Sequence, residues 1–287
     1  MPQTINTNLN SLNAQRNLST SQSSLAMSMQ RLSSGLRVNS AKDDAAGLAI
    51  AERMTSQVRG MNVSIRNAND GISMSQTAEG ALGKVTDSLQ RMRELSVQAA
   101  NATNSNSDKD SLDKEFGELG KEIQRVLGGT SFNGQHMLGT DAKAFTFQVG
   151  ANTTSNDTID IITTDLTADS TVTAVAGTDN TGAGRAVIDS TASAATIQGV
   201  INNIDTAIST INDKRAVMGA SQSRFDSVIT NLQTSVENQT AAKSRIMDTD
   251  FAAETANLSR AQILQQAGNA MVAQANQLPN QVMTLLR

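Results

Sequence analysis

The chain has 287 residues and a formal charge of −4 at pH 7. It is 38% hydrophobic and only 2% aromatic, with no Cys, Trp or Tyr, one His, two Pro and 12 Met. The missing cysteines exclude thiol catalysis, disulfide frameworks and Cys-based zinc sites. A mildly acidic chain whose only aromatics are six Phe has neither the charge nor the stacking platforms for nucleic acid. So few aromatics cannot fill a compact core of this size, which predicts an elongated, helix-built molecule.

The opening MPQTINTNLNSLNAQRN is polar, so no secretory leader is expected, and no stretch approaches the ~18 to 20 apolar residues of a membrane span. Residues 1–42 carry Arg16, Arg31, Arg37 and Lys42 and no acid, a transit-peptide composition. A matching amphipathic pattern at the C-terminus favours a structural helix instead. Leu18, Leu25, Met29, Leu32 and Leu36 form its stripe, with Ile5, Leu9 and Leu12 in a shifted phase. A break follows at Ser33-Ser34-Gly35, then Ser40 and Asp43 stand at capping-box spacing.

Next comes a heptad seam through Met54, Val58, Met61, Ile65, Ala68 and Ile72. After a three-residue stammer at Ser75 it resumes as Ala78, Leu82, Val85, Leu89, Met92, Ser96 and Ala99. A continuous helix over 47–100 would run roughly 80 Å. Residues 101–107 are turn-rich, and a shorter helix over 108–127 is expected to stop at Gly128-Gly129. Residues 144–149 and 158–163 alternate as a β-hairpin. The Thr/Ala/Ser/Gly/Asp-rich stretch that follows reads as solvent-facing, with few long apolar side chains to bury.

A returning heptad seam runs through Ile197, Ile201, Ile204, Ile208, Ile211, Met218, Phe225, Ile229, Leu232 and Val236, with polar Arg215 and Gln222 on it. Helix, turn, helix and returning helix make an antiparallel bundle. The C-terminal segment offers Ile246, Ala253, Leu258, Ile263, Leu264, Ala267, Met271, Ala275 and Leu278 as an apolar face. Each terminal helix is too poor in apolar residues to stand alone.

Nothing argues for catalysis. His136 is the only histidine and sits in a Phe132–His136 turn, so multi-His metal sites are excluded and a structural role is expected. Asp43-Asp44 fits a helix N-terminus better than acid/base work. Gly71, Gly80 and Gly83 form no phosphate loop; close helix packing explains them more simply. No enzyme activity and no cofactor or metal is expected. Unsatisfied amphipathic surface at both ends suits a self-associating chain, and heterologous contacts that do not close give an open helical filament.

Several runs then resemble one family in order along the chain: INTN at 5–8, LSSGL at 32–36, RVNSAKDDAAGLAI at 37–50, RMRELSVQAAN at 91–101, FNG at 132–134, FQVGA at 147–151, RAVMGASQSRF at 215–225, AKSRIMDTDFAAE at 242–254 and the ending LLR. Together they are similar to bacterial flagellin. The resemblance implies a mainly α fold: a terminal coiled coil of 1–43 with 244–287, a helical bundle with a β-hairpin over 44–165 with 194–243, and a short variable surface insertion at 166–193. It implies a structural subunit of the extracellular flagellar filament, exported unfolded through a type III channel. The terminal coiled-coil and polymerisation residues would be Leu18, Leu25, Met29, Leu32, Leu258, Ile263, Leu264, Met271 and Leu278.

Implied partners are further copies of the chain, an export chaperone on Ile263, Ala267, Met271 and Leu278, and the filament cap and hook–filament junction proteins. No nucleic acid and no membrane insertion is implied. The family's surface for Toll-like receptor 5 maps onto Gln90, Arg91, Leu95 and Glu115; Leu95, off the Leu89–Met92–Ser96 seam, is expected to face outward. The competing reading of these residues is a bundle position for Leu95 and an ion pair from Arg91 to Glu94 or Glu115. The alternative to a filament subunit is a hook–filament junction adaptor.

Overall fold

The computed structural model describes residues 7–285, with side chains through Gln277. It is mainly helical: α1 (Leu9–Ser34), α2 (Ala45–Ala99), α3 (Asn106–Gly129), α4 (Ser170–Ala176), α5 (Ala194–Met247) and α6 (Phe251–Leu285). Two antiparallel strand pairs complete it: β1 (Ser131–Phe132) with β2 (Gln135–His136), and β3 (Ala144–Gln148) with β4 (Thr158–Ile162). The chain divides into two compact units, 1–58 with 237–287 and 59–236, so α2 and α5 contribute to both.

In the second unit the heptad reading holds through the centre of α2. Ala78, Leu82, Val85, Leu89, Met92, Ser96 and Ala99 are all buried. They face Ile197, Ile204, Ile211, Met218 and Phe225 of α5 and Phe116, Ile123 and Leu127 of α3. The α2–α5 pairing is antiparallel, because Arg93 bonds Asp205, Glu79 accepts from Gln222, and Gly71 lies against the Phe225 ring. Of the polar residues on the α5 seam, Gln222 thus finds a partner across the bundle, whereas the Arg215 Nε is buried without one. Helix α3 starts from a capping box in which Ser105 and Asp108 satisfy each other's backbone N–H groups.

The hairpin forms where the alternation places it, with Phe147 opposite Ile159 and Phe145 opposite Ile161. Ile159 and Ile161 are buried, and Phe147 meets Phe225 edge to face at a 5.6 Å centroid separation. His136 lies in β2 rather than in a plain turn; the turn is confined to Asn133-Gly134, both at positive φ.

Three local expectations are corrected. Gly128 and Gly129 do not end α3 in a left-handed cap; both are helical and the cap is extended Thr130. The close approach of the 137–139 loop to the helix is made at Gly139, where a Cβ would stand 3.4 Å from the Gly128 Cα. Ser40 and Asp43 close a turn ahead of α2, and Asp44 supplies the acceptor for the Gly47 N–H. Of Gly71, Gly80 and Gly83, Gly71 alone is demanded by packing: a Cβ there would fall 2.7 Å from the Phe225 ring, while Gly80 and Gly83 face open space.

The largest correction concerns the Thr/Asp-rich stretch, which is built into the core. Leu166, Val172, Val175, Ala176 and Ile188 are fully buried, carried by α4 and its flanking loops on the face of α3. What orders so polar a segment is a repeated Asp-x-Thr turn. Asp165, Asp169, Asp179 and Asp189 each accept from the backbone N–H and hydroxyl of the Thr two residues on. Long-range ties then fasten it to α3. The Arg185 Nη1 donates to Asp113 at 2.9 Å, Asp113 also accepts the Ile188 N–H at 3.0 Å, and Gln124 donates to the Thr167 and Gly177 carbonyls.

Two predictions follow from this packing. Gly71→Ala should lower the urea midpoint of the second unit, whereas Gly80→Ala should raise stability by about 0.5–1 kcal/mol because an exposed helical glycine only costs chain entropy. Burial raises the Asp113 carboxyl, but the Arg185 and Ile188 hydrogen bonds and the Arg185 charge outweigh it and hold it below its ordinary range. Asp169 is held low chiefly by the Thr171 hydroxyl. Their stabilisation is therefore complete above about pH 4, the ordinary carboxylate range, and is lost as pH falls below it. The urea midpoint should be flat from pH 7 to 5 and drop toward pH 3. Asp113→Asn should cost about 2 kcal/mol at pH 7 and flatten that acid drop.

Candidate functional site

The first unit is organised by α1 and α6 lying antiparallel. Asn8 fixes one end: its side chain accepts from Ser11 N as the α1 N-cap and donates to the Ala275 carbonyl at 2.7 Å. Ser11 donates to Asn276 beside it. At the other end Arg31 approaches buried Glu254 at 3.7 Å. The linkers pair too: Arg37 N–H donates to the Met247 carbonyl, Thr249 N–H to the Gly35 carbonyl, and Gly35 takes the left-handed conformation (φ +71°) that stops α1.

Between these clamps both helices keep strict three–four spacing, yet the seam is not the stripe of large residues that hydropathy suggests. Its α1 side is Ser11, Ala14, Leu18, Ser21, Leu25, Ser28 and Leu32; its α6 side is Glu254, Leu258, Ala261, Gln265, Gly268, Val272 and Ala275. Small side chains interleaved with larger ones let the helices approach closely, and Leu18 Cδ1 lies 3.1 Å from where a Gly268 Cβ would stand.

The expected coiled-coil residues therefore separate into two groups. Leu18, Leu25, Leu32 and Leu258 are half-buried in the seam. Met29, Ile263, Leu264 and Met271 are outside it, 58%, 66%, 50% and 60% exposed, and Ala267 is exposed with them. These residues fall one position or more away from the seam positions of their helices, so within the chain they are open to solvent. Leu278 lies outside the residues whose side chains are described. Leu9, Leu12, Met27 and Phe251 add to the exposed apolar set.

The exposed residues on the α6 side shape a groove along the helix pair. Ala14 and Leu18 with Leu264, Ala267, Gly268, Met271 and Ala275 wall about 650 Å³ of it. It continues past Leu264 into a second hollow of about 350 Å³ bordered by Met27, Arg31 and Arg260. Sequence reasoning named the seam leucines and Ala275 but missed the small residues Ala261 and Gly268, whose signal was the seven-residue spacing of Ala261, Gly268 and Ala275.

The receptor-surface residues lie in the second unit. Arg91 bridges α2 and α3, donating to Glu115 and to Glu94 at 2.9 Å each. The Glu115 hydrogen bond first, then Glu94, raises its guanidinium further, so it stays charged at all relevant pH. Gln90, Arg91 and Glu115 are exposed. Leu95 is not: it is 1% exposed, correcting the outward assignment. Here α2 packs against two helices, so its buried arc is wider than a single seam and takes in Leu95 beside Met92 and Ser96.

Among the described residues no cluster of three or more acidic or histidine side chains is placed to hold a metal, and no helix is long and apolar enough to cross a membrane. Comparison with known proteins agrees with the architecture. Residues 5–142 match the bacterial flagellin N-terminal helical region, and residues 201–286 match the bacterial flagellin C-terminal helical region. The chain is 44% identical to flagellin of Halalkalibacterium halodurans over 284 residues, covering 99% of each. It is 42% identical to flagellin of Xenorhabdus nematophila over 315 residues, covering 100% of each. A solved Vibrio parahaemolyticus structure, described as a flagellar hook-associated protein, shares the fold at TM-score 0.58 and 14% identity, covering 72% of this chain and 100% of that one. With both helical regions matched and near-full-length relatives well above 30% identity, the chain belongs to the bacterial flagellin family, structural rather than enzymatic proteins that polymerise into the flagellar filament.

Proposed function

We propose that the chain joins its neighbours in the filament through the outward apolar faces of α1 and α6. The observation that carries this is the division of labour on the helix pair. Small residues hold the pair together, while Leu264, Ile263 and Met271 stand at least half exposed beside a groove. Burying a leucine-sized side chain yields about 1.5–3 kcal/mol, so a face of this kind repeated in every subunit strongly favours contact. Such contacts are heterologous and extend rather than close.

The same face serves the export stage. The subunit travels unfolded through the type III channel to the extracellular filament, and Ile263, Ala267 and Met271, with Leu278 beyond them, are the surface a cytoplasmic chaperone covers first. One face cannot hold chaperone and neighbour at once, so the chaperone keeps the subunit monomeric until the cap and junction proteins receive it. A seeded-elongation assay followed by electron microscopy tests the assembly reading. Leu264→Asp leaves the seam intact and should preserve helix content while abolishing elongation; filaments of normal length from it would overturn the interface. Seeds that are capped instead of extended by the unaltered chain would favour the junction-adaptor alternative.

The surface of Gln90, Arg91 and Glu115 is the ligand for Toll-like receptor 5, with Leu95 shaping it from beneath rather than touching the receptor. Arg91 is held rigid between two carboxylates, which lowers the ordering cost of presenting it. Arg91→Ala should reduce receptor activation by the monomer about tenfold or more, as loss of an arginine hot spot does, with little change in thermal stability because the ion pairs are exposed. Unchanged activation would move the site elsewhere.

A further inference from the structure

Among the described residues the methionines range from buried to more than half exposed, with Met54 and Met247 half-buried. Met61, Met74, Met92, Met137 and Met218 are packed away, none more than 6% exposed. Met27, Met29 and Met271 are 48%, 58% and 60% exposed, and all three lie on α1 or α6. Two of them stand on the groove itself. Met271 lines its larger stretch, Met27 lines the smaller, and Leu264 borders both. A flexible thioether suits an apolar surface that must mould to a partner, and it is also the readily oxidised group of such a surface.

We propose that Met27 and Met271 are oxidation sites that gate incorporation of the free subunit, an inference that rests on the groove being the docking face. The oxidant is a peroxide or hypochlorous acid. The thioether sulfur attacks the terminal oxygen of hydrogen peroxide, an S–O bond forms as the O–O bond breaks, and the displaced hydroxide takes up a proton and leaves as water. The sulfur loses two electrons and the peroxide gains them. The product is a polar, chiral sulfoxide in place of an apolar group. Burying that oxygen against an apolar neighbour strips it of water without a hydrogen bond in return. Oxidation therefore acts before incorporation, when the sulfurs are accessible, and polymer contacts then shield them. The change is reversible, because sulfoxides are returned to thioethers by methionine sulfoxide reductases.

The test treats the full-length monomer with hydrogen peroxide, maps oxidised methionines by mass spectrometry and measures elongation of seeds. Met27 and Met271 should oxidise about tenfold or more faster than Met92, Met137 and Met218, whose sulfurs need local opening to react. Elongation should fall at least tenfold in step with their oxidation, and reductase treatment should restore it. The variant carrying Met27→Leu and Met271→Leu is compared with itself: its elongation rate after the same dose should equal its own untreated rate, whatever that rate is. Oxidised wild-type protein that elongates like the untreated control would overturn the gate while leaving the docking face intact. A double variant as sensitive as wild type would also overturn it, placing the effect at Met29 or elsewhere. Failure of untreated protein to elongate would instead overturn the docking reading beneath it. If the double variant does not fold, reductase rescue on the wild-type chain decides the question.

Discussion

The two helices that meet in the first unit are held together by side chains too small to satisfy the hydrophobic demand of their own sequence. Leu18 lies against Gly268, and the serines Ser11, Ser21 and Ser28 alternate with half-buried leucines along α1, so the helix axes come close but the seam removes only part of its large apolar area from water. A leucine-rich seam at the same heptad positions would bury roughly 1.5–3 kcal/mol per residue and would satisfy the pair internally. Here Leu9, Leu12, Phe251, Ile263 and Leu264 are displaced to the outside. The polar clamps at the two ends, Asn8 to Ala275 and Arg31 to Glu254, matter for the same reason: with so weak an apolar seam, register has to be fixed by hydrogen bonding and charge.

The second unit solves the opposite problem. It closes on itself, with Leu82, Leu89, Met92, Phe116, Phe225 and Ile161 fully buried among three helices and a hairpin. Its polar segment is disciplined rather than excluded. Each Asp-x-Thr turn satisfies two donors locally, which removes backbone groups that would otherwise resist burial. That local satisfaction is what lets Leu166, Val175 and Ile188 reach the core from a stretch with the composition of a linker. The Asp113–Arg185 pair then commits the segment to α3, so its order depends on a carboxylate staying ionised.

The long helices were legible because a period of three and four repeated over many turns leaves no competing pattern, as Ala78 through Ala99 show. The hairpin was legible for the equivalent reason at period two. Leu95 was misread because a heptad argument assumes one partner helix, and α2 has two. The exposed stripe of α6 was legible as apolar demand, but hydropathy identifies which residues want burial and not which neighbour supplies it. In Ile263, Leu264 and Met271 the demand is present in the sequence, and the folded chain leaves it unmet. The Asp-x-Thr turns were present in the letters throughout. Their spacing of two is hidden by compositional averaging, which weighs Asp and Thr as polar and ignores that each pair satisfies itself.

These contrasts explain how one chain can be both a stable body and a poor monomer. Folding in the second unit draws on the chain itself, because its large apolar core and most of its buried polar groups find partners there. In the first unit the intramolecular contacts set geometry, bringing α1 and α6 into register, while most of the favourable burial awaits a neighbour. Ordering entropy is then offset only on association, as in other segments whose folding is coupled to binding. Strengthening the seam with larger residues would stabilise the free subunit at the expense of the close helix approach that aims Leu264 and Met271 along the same side. A subunit that polymerises through such a face is served by this weakness. Its affinity for the next copy resides in surface that the isolated fold has no means of hiding.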